Sequence, residues 1–343
     1  MAEVRALAGP LGIAVNPASG KDVRRLVARA SVFDNQEKCA IVRRALVGAI
    51  NAGVRLVHYL PDSHEIARTA VTEFGDEIDA APVVAPRSGS TLDTVAGARA
   101  LESAGCRAVL TLGGDGTNRA FALGWRNAPL VPISTGTNNV FPVMVEATLA
   151  GAAAGLVAAG RLPLAAVARP AKTITVRIEG ERDDIALIDA VVTAERFVGS
   201  RALLEGGLLR LALLTRADPA AAGITSIGGL VTPVSAGTDH GLLLELDPAA
   251  DRVSAPIAPG MYQSIGVAGS RTVPFGETIT VTGPCVLAFD GERERSLKPG
   301  QQAHLTIDRD GPWVIDVVRT MHLAAEQGLF RTPAAELTST SAG

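Results

Sequence analysis

The stretch from Ala108 to Thr117 restricts this chain more than any other. An apolar, β-prone run, Ala108 to Leu112, passes directly into Gly113-Gly114-Asp115-Gly116-Thr117, and a helix-forming segment follows from Asn118 to Leu123. Three glycines in four positions clear side chains from a place where backbone must approach something bulky. A helix start after Thr117 offers N–H groups to a phosphate. Asp115 carries a negative charge into that cradle. Beside a phosphate it is useful in two ways, holding Mg²⁺ or accepting the proton of an attacking hydroxyl. A tight corner whose Asp caps the helix fits the same residues.

The same order of strand, polar corner and helix recurs through the first half. Leu11 to Val15 reads as a strand, Asn16-Pro17-Ala18-Ser19-Gly20 as a corner, and Asp22 to Ala30 as a helix start. Gln36 to Ala52 has helical spacing, with Ile41, Ala45, Leu46 and Ala49 as its apolar stripe, and Val54 to Leu60 follows as a strand. Helices over Ser63 to Phe74, Thr91 to Ala104 and about Val145 to Ala159 alternate with strands at Pro82 to Ala85 and Leu130 to Ile133. This alternation argues a mostly parallel sheet covered on both faces, an α/β fold.

In such a sheet the corners after the strands share one side, and that side holds the ligand crevice. At the first corner, Asn16 and Ser19 can bind phosphate or ribose oxygens and Lys21 can neutralise a phosphate, although the segment lacks the spacing of a P-loop. A structural turn with a solvated Lys fits it as well. After Ile133, the corner Ser134-Thr135-Gly136-Thr137-Asn138-Asn139 offers Thr135, Thr137, Asn138 and Asn139 for ribose or adenine, with Gly136 for the turn. A helix-capping loop is the alternative there. Among the arginines, only Arg119 is placed near phosphate by the motif itself.

Beyond Pro163 the texture becomes β-rich. Strands are expected over Thr173 to Glu179, Ile185 to Thr193, Leu242 to Leu246, Val286 to Phe289 and His304 to Ile307, with a helix over Arg201 to Leu214, and Val314 to Val318 leads into a helix over Thr320 to Gln327. Asp290-Gly291-Glu292 opens a polar hairpin. It is either a plain turn or a pair of carboxylates beside a second substrate. The expected division is residues 1–165, 166–315, and a C-terminal helix and tail at 316–343 that returns toward the first part.

Aromatic residues are only 3% of the 343, so aliphatic side chains must fill the core, as layered α/β packing allows. A formal charge of -3 supplies no field for a polyanion and no basic surface for a lipid headgroup layer, which argues against nucleic acid and against stable membrane association. Cys39, Cys106 and Cys285 lack metal-ligand spacing, and no opening apolar run has signal-peptide length, so a cytoplasmic protein is expected. No Gly-x-Ser-x-Gly elbow appears, and no Gly-x-Gly-x-x-Gly follows the first strand. Serine hydrolysis and hydride transfer are disfavoured.

Gly113 to Thr117, Asn16 to Gly20 and Asp290 to Glu292 together resemble three motifs of the NAD kinase, diacylglycerol kinase and sphingosine kinase superfamily. Ser134 to Pro142 and the stretch from Ala324-Ala325 to Gly328-Leu329-Phe330 are similar to its acetoin catabolism protein X branch, so that the resemblance spans about residues 10–330. It implies a Rossmann-like open parallel sheet followed by a β-rich domain, with the active crevice between them. It also implies ATP and Mg²⁺ as cofactors and Asp115 as the catalytic carboxylate. Asn16, Ser19, Lys21, Gly113, Gly114, Gly116, Thr117, Arg119 and the 135–139 corner would then hold the nucleotide, and Glu195, Asp290 and Glu292 would face the acceptor.

The activity so implied is transfer of a γ-phosphoryl group to a hydroxyl of a small molecule, NAD among the candidates. NAD kinases pair an Asn with an acidic residue on the NAD ribose, and Val191-Val192-Thr193-Ala194-Glu195 lacks that Asn. A non-catalytic nucleotide-binding regulator and a lipid kinase-like enzyme are the alternatives. A homodimer or homotetramer is expected, because the β-rich half presents strand edges.

Overall fold

A strand buried on both faces shows no alternation, and Leu11–Val15 (β1) shows none. The structure, a computed structural model, describes residues 7–20, 34–136, 138–194, 209–291 and 293–331. The expected helix over Asp22 to Ala30 lies outside them. On one side of β1 run Leu56–Tyr59 (β2) and Asp79–Pro82 (β3), and on the other Ala108–Gly113 (β4) and Pro129–Ser134 (β5), all parallel.

The crossovers are helices Asn35–Asn51 (α1), Ile66–Thr72 (α2), Thr91–Ser103 (α3), Asp115–Gly124 (α4) and Ala147–Ala158 (α5). Side chains cap several of their starts: Asp34 accepts from the Glu37 amide, Ser90 from Leu92 and Glu146 from Leu149. Apolar residues of α1, α2 and α5 close one face of the sheet, and those of α3 and α4 close the other.

The chain continues through Leu164–Val167 (α6) and Ala168–Pro170 (β6) into two further sheets. One holds Thr173–Ile178 (β7) and Asp184–Ala186 (β8), and the other holds Asp189–Thr193 (β9) and Leu209–Leu214 (β10). The run Ile185 to Thr193, expected as one strand, therefore breaks at Leu187 and Ile188 as it passes between sheets. Leu209–Leu214 is a strand where a helix was expected over 201–214; residues 201–208 lie outside the described ones.

After Ile224–Val231 (α7), strands His240–Leu246 (β11), Arg252–Ala258 (β12) and Met261–Pro274 (β13) extend the β9–β10 sheet, and Thr278–Thr282 (β14) joins that of β7. Cys285–Phe289 (β15) and Arg293–Leu297 (β16) complete the former, and Gln302–Asp308 (β17) the latter. The two sheets share one aliphatic core that includes Ile174, Val192, Leu213, Leu287 and Leu305.

Trp313–Ile315 (β18) then returns to the first sheet, parallel to β5 and antiparallel to β6. Its seven strands run β3-β2-β1-β4-β5-β18-β6. Residues 168–170 and 313–315, which fall just inside the limits expected for the β-rich part, are thus strands of this sheet. Val317–Glu326 (α8) follows and packs on α5. Among the described residues, no helix is long and apolar enough to cross a membrane.

Candidate active site

The carboxyl ends of β1, β4 and β5 lie side by side, so the three polar corners that follow them meet at one edge of the sheet. At the middle corner the chain turns from Gly113 directly into α4, with Gly114 at the N-cap and no side chain capping the helix. Asn118 fixes this turn, accepting from the Thr111 hydroxyl at 2.7 Å and donating to the Gly114 carbonyl at 2.9 Å. The missing side chains have local explanations. A Cβ at Gly113 would fall 2.5 Å from the Thr117 side chain, and one at Gly114 would fall 2.9 Å from the Asn139 carboxamide.

Thr117 is in turn held by the first corner, where Asn16 donates to its hydroxyl at 2.8 Å. Asn16 also accepts from the Ala18 amide, and Ser19 is within 2.8 Å of the Thr135 hydroxyl, which ties the first corner to the third. Beneath the loop lies Lys38 of α1, fully buried, whose ammonium donates to the carbonyls of Asn16, Pro17 and Ser19 at 3.0, 2.9 and 2.7 Å. The third corner is braced by Asn139, which donates to the Ser134 hydroxyl at 2.8 Å. A concavity of about 240 Å³ opens between Asn16, Arg87, Ser90, Gly116 and Thr117.

Asp115 faces away from that concavity. Its carboxylate accepts the Phe141 amide at 2.7 Å and the Val140 amide at 3.1 Å, and it lines a second cavity of about 50 Å³ with Asn138 and Asp290. Burial pushes Asp115 up to about 7; the Phe141 amide pulls the other way, and the nearby Asp290 adds to the rise. Asp290 is also raised by burial, against the amides of Leu187, Ile188 and Asp189 that it accepts at 2.9, 2.8 and 3.1 Å. Those three amides belong to the bend between β8 and β9, so Asp290 satisfies the backbone that changes sheets.

The Asn138 carboxamide oxygen is buried and meets no hydrogen-bond donor among the described residues. Two carboxylates and an orphaned amide oxygen around a small cavity suit a hard cation, which takes oxygen ligands and relieves the repulsion between the acids. Among the described residues no group of three or more His, Cys, Asp or Glu could hold a metal, so any such cation would rely on the amide and on other oxygens.

The fold thus brings together Asn16, Ser19, Gly113, Gly114, Gly116, Thr117, Thr135, Gly136, Asn138 and Asn139, with Asp115 and Asp290 at the adjoining cavity. Lys21, Thr137, Glu195 and Glu292 lie outside the described residues. Arg119, expected at phosphate, is buried instead: its guanidinium pairs with Asp184 and sits 5.6 Å from the centre of the Phe289 ring. It fastens α4 to the β8 strand, because the helix turns that position inward.

Two residues escaped the sequence reading. Lys38 carried a usable signal, since 38, 41, 45 and 49 fall on one helical stripe whose other members are apolar. Arg216 carried none, since it follows a segment read as helical. Its guanidinium lies 5.9 Å from the centre of the Phe141 ring, and burial lowers its pKa against the pull of Asp115, Asp218 and Asp290.

Two family profiles match successive parts of the chain. The profile of the ATP-NAD kinase N-terminal domain matches residues 11–162, and that of the acetoin catabolism protein X C-terminal domain matches residues 172–310. An acetoin catabolism protein X from Cupriavidus necator is 35% identical over 346 residues, covering 95% of each chain. The chain belongs to the acetoin catabolism protein X family.

Among solved structures, yeast NADH kinase complexed with NADH matches 95% of this acetoin catabolism protein X family member and 89% of its own chain, with a TM-score of 0.51 and 14% identity. An NAD kinase from Archaeoglobus fulgidus in complex with ATP matches 81% of this chain and 99% of its own, with a TM-score of 0.44 and 14% identity. The chain shares the mixed α/β architecture of yeast NADH kinase, a Rossmann-like region followed by a β-rich one.

Proposed function

We propose that the chain is an ATP-dependent phosphotransferase that moves a terminal phosphoryl group to a hydroxyl of a small molecule. The observation that carries this reading is the buried Asp115, poised near neutrality beside Asp290 and the unpartnered Asn138 oxygen. A carboxylate whose affinity for a proton is matched to the working pH is an effective general base. Asp115 would take the proton of the acceptor hydroxyl as that oxygen attacks phosphorus. The uncapped first turn of α4, with Asn16 and Thr117 at its side, would receive phosphate oxygens. Asn138 and Asp290 would hold Mg²⁺, which when bound supplies positive charge against the phosphates.

The test is incubation of the purified protein with ATP, Mg²⁺ and a panel of NAD, NADH, diols, polyols, sugars and glycerolipids, following phosphate on the acceptor. Asp115→Asn is expected to lower turnover by about a hundredfold or more. Equal turnover in the variant would remove Asp115 from the chemistry. One observation favours the second reading, a nucleotide-binding regulator without transfer: the Asp115 carboxylate is already taken up by the Val140 and Phe141 amides. Tight ATP binding with no product on any acceptor would support it.

A further inference from the structure

Beside Phe141 lies a larger cavity of about 550 Å³, within the range of small-molecule pockets. Its walls are aliphatic, formed by Val131, Val167, Leu187 and Val314. Its mouth carries three exposed apolar side chains, Val143 at 56%, Met144 at 61% and Val318 at 66%. Solvent-exposed apolar groups gathered at one opening mark a binding place more often than isolated ones do.

The charges lining this cavity are one-sided. Arg169, Lys172, Arg216, Arg309 and Arg319 face a single acid, Asp316, whose carboxylate is turned to the Arg319 amide as the cap of α8. Lys172 is held by the Ser235 and His240 carbonyls and the Thr238 hydroxyl, and Arg309 by carbonyls of Pro170, Ala236 and Thr238 together with Asp239. Burial, and then the nearby Arg309 and Arg216, push Lys172 down to about 8, so the cations oppose one another. Arg216 differs from Lys172 and Arg309, which are held by the protein, and from Arg169 and Arg319, which are exposed where it is half-buried. It stacks near Phe141 and makes no hydrogen bond or ion pair with the described residues.

We propose that this cavity binds a small organic anion with an apolar body, its anionic head at Arg216 and its body along the aliphatic walls and mouth. A carboxylate and a phosphate monoester share that chemistry, and a guanidinium can receive either through paired N–H groups. The proposal concerns equilibrium binding and stands apart from phosphoryl transfer, although Phe141, which lines this cavity, donates its amide to Asp115.

The test is calorimetric titration of the full chain, without nucleotide, with octanoate, octyl phosphate and neutral octanol. At least one anion is expected to bind one-to-one and about tenfold or more tighter than octanol, and the tighter anion names the head group. Arg216→Gln should weaken that anion by about tenfold or more while changing octanol by less than about threefold. Val318→Glu, at an exposed position of α8, should also weaken it by placing a like charge at the mouth, and carries the test if Arg216→Gln fails to fold. Octanol binding as tightly as both anions, neither anion binding at millimolar concentration, or anion affinity unchanged in the folded variants would each overturn the proposal.

Discussion

Burial of Asp115 next to Asp290 couples its charge to the stability of the protein. Its folded pKa of about 7 lies above the ordinary 3.8, so the native state holds the proton more tightly than the unfolded chain does. The stabilisation this brings is complete at low pH and is lost as pH rises through about 7. Asp115→Asn cannot ionise and escapes that loss. The melting temperature of the variant relative to the parent is expected to rise between about pH 5 and about pH 8, and a difference that stays constant would contradict the assignment. Lys38 makes the opposite kind of contribution. Lys38→Met strips the 16–19 loop of an ammonium that serves three carbonyls, and a loss of about 2–3 kcal/mol is expected in urea denaturation. A shift of a few tenths would show that the loop holds itself. At this scale the sequence displayed Gly113 to Thr117 openly, because a glycine run after a strand is visible without coordinates. Asn138 and Arg216 were less legible in their roles, since an orphaned oxygen and an unpaired guanidinium are properties of surroundings assembled from distant segments.

Helices α1 and α5 show how tightly the first layer is built. A Cβ on Gly151 would fall 1.8 Å from the Ala45 carbonyl oxygen, and one on Gly48 would fall 1.9 Å from that of Thr148, so backbone meets backbone where the helices cross. Gly151→Ala must push the helices apart, with an expected cost of about 1–3 kcal/mol read from a thermal or urea melt. An unchanged melt would mean that the pair is looser than its geometry. Most elements of this layer were legible because helical stripes and short apolar runs follow different periods. Leu209–Leu214 was not, since a short run that is apolar but for Arg210 satisfies helix and buried strand equally. The break at Leu187 and Ile188 was hidden for a different reason: the residue that satisfies it, Asp290, lies about a hundred positions away.

The molecule as a whole is closed by its last strand. β18 stands between β5 and β6, and α8 covers α5, so a chain ending at Asp310 would lose an interior strand and a helix of the first layer. Such a truncation is expected to leave residues 7–170 open to limited proteolysis, and protease resistance equal to that of the full chain would show that the layer closes without β18. The sequence marked Val314 to Val318 as a stretch leading into a helix that returns to the first part, without assigning it to a strand. It could not show which edge receives β18, because pairing order depends on register across the molecule.

This late strand also sets an order of events during synthesis. A ribosome makes residue 11 about three hundred positions before residue 315, yet both serve the same sheet. Nascent chains commonly fold from the amino terminus onward. Here the layer begun at residue 11 is completed only after the whole β-rich part has been made, so the growing polypeptide carries an incomplete sheet until β18 has left the exit tunnel.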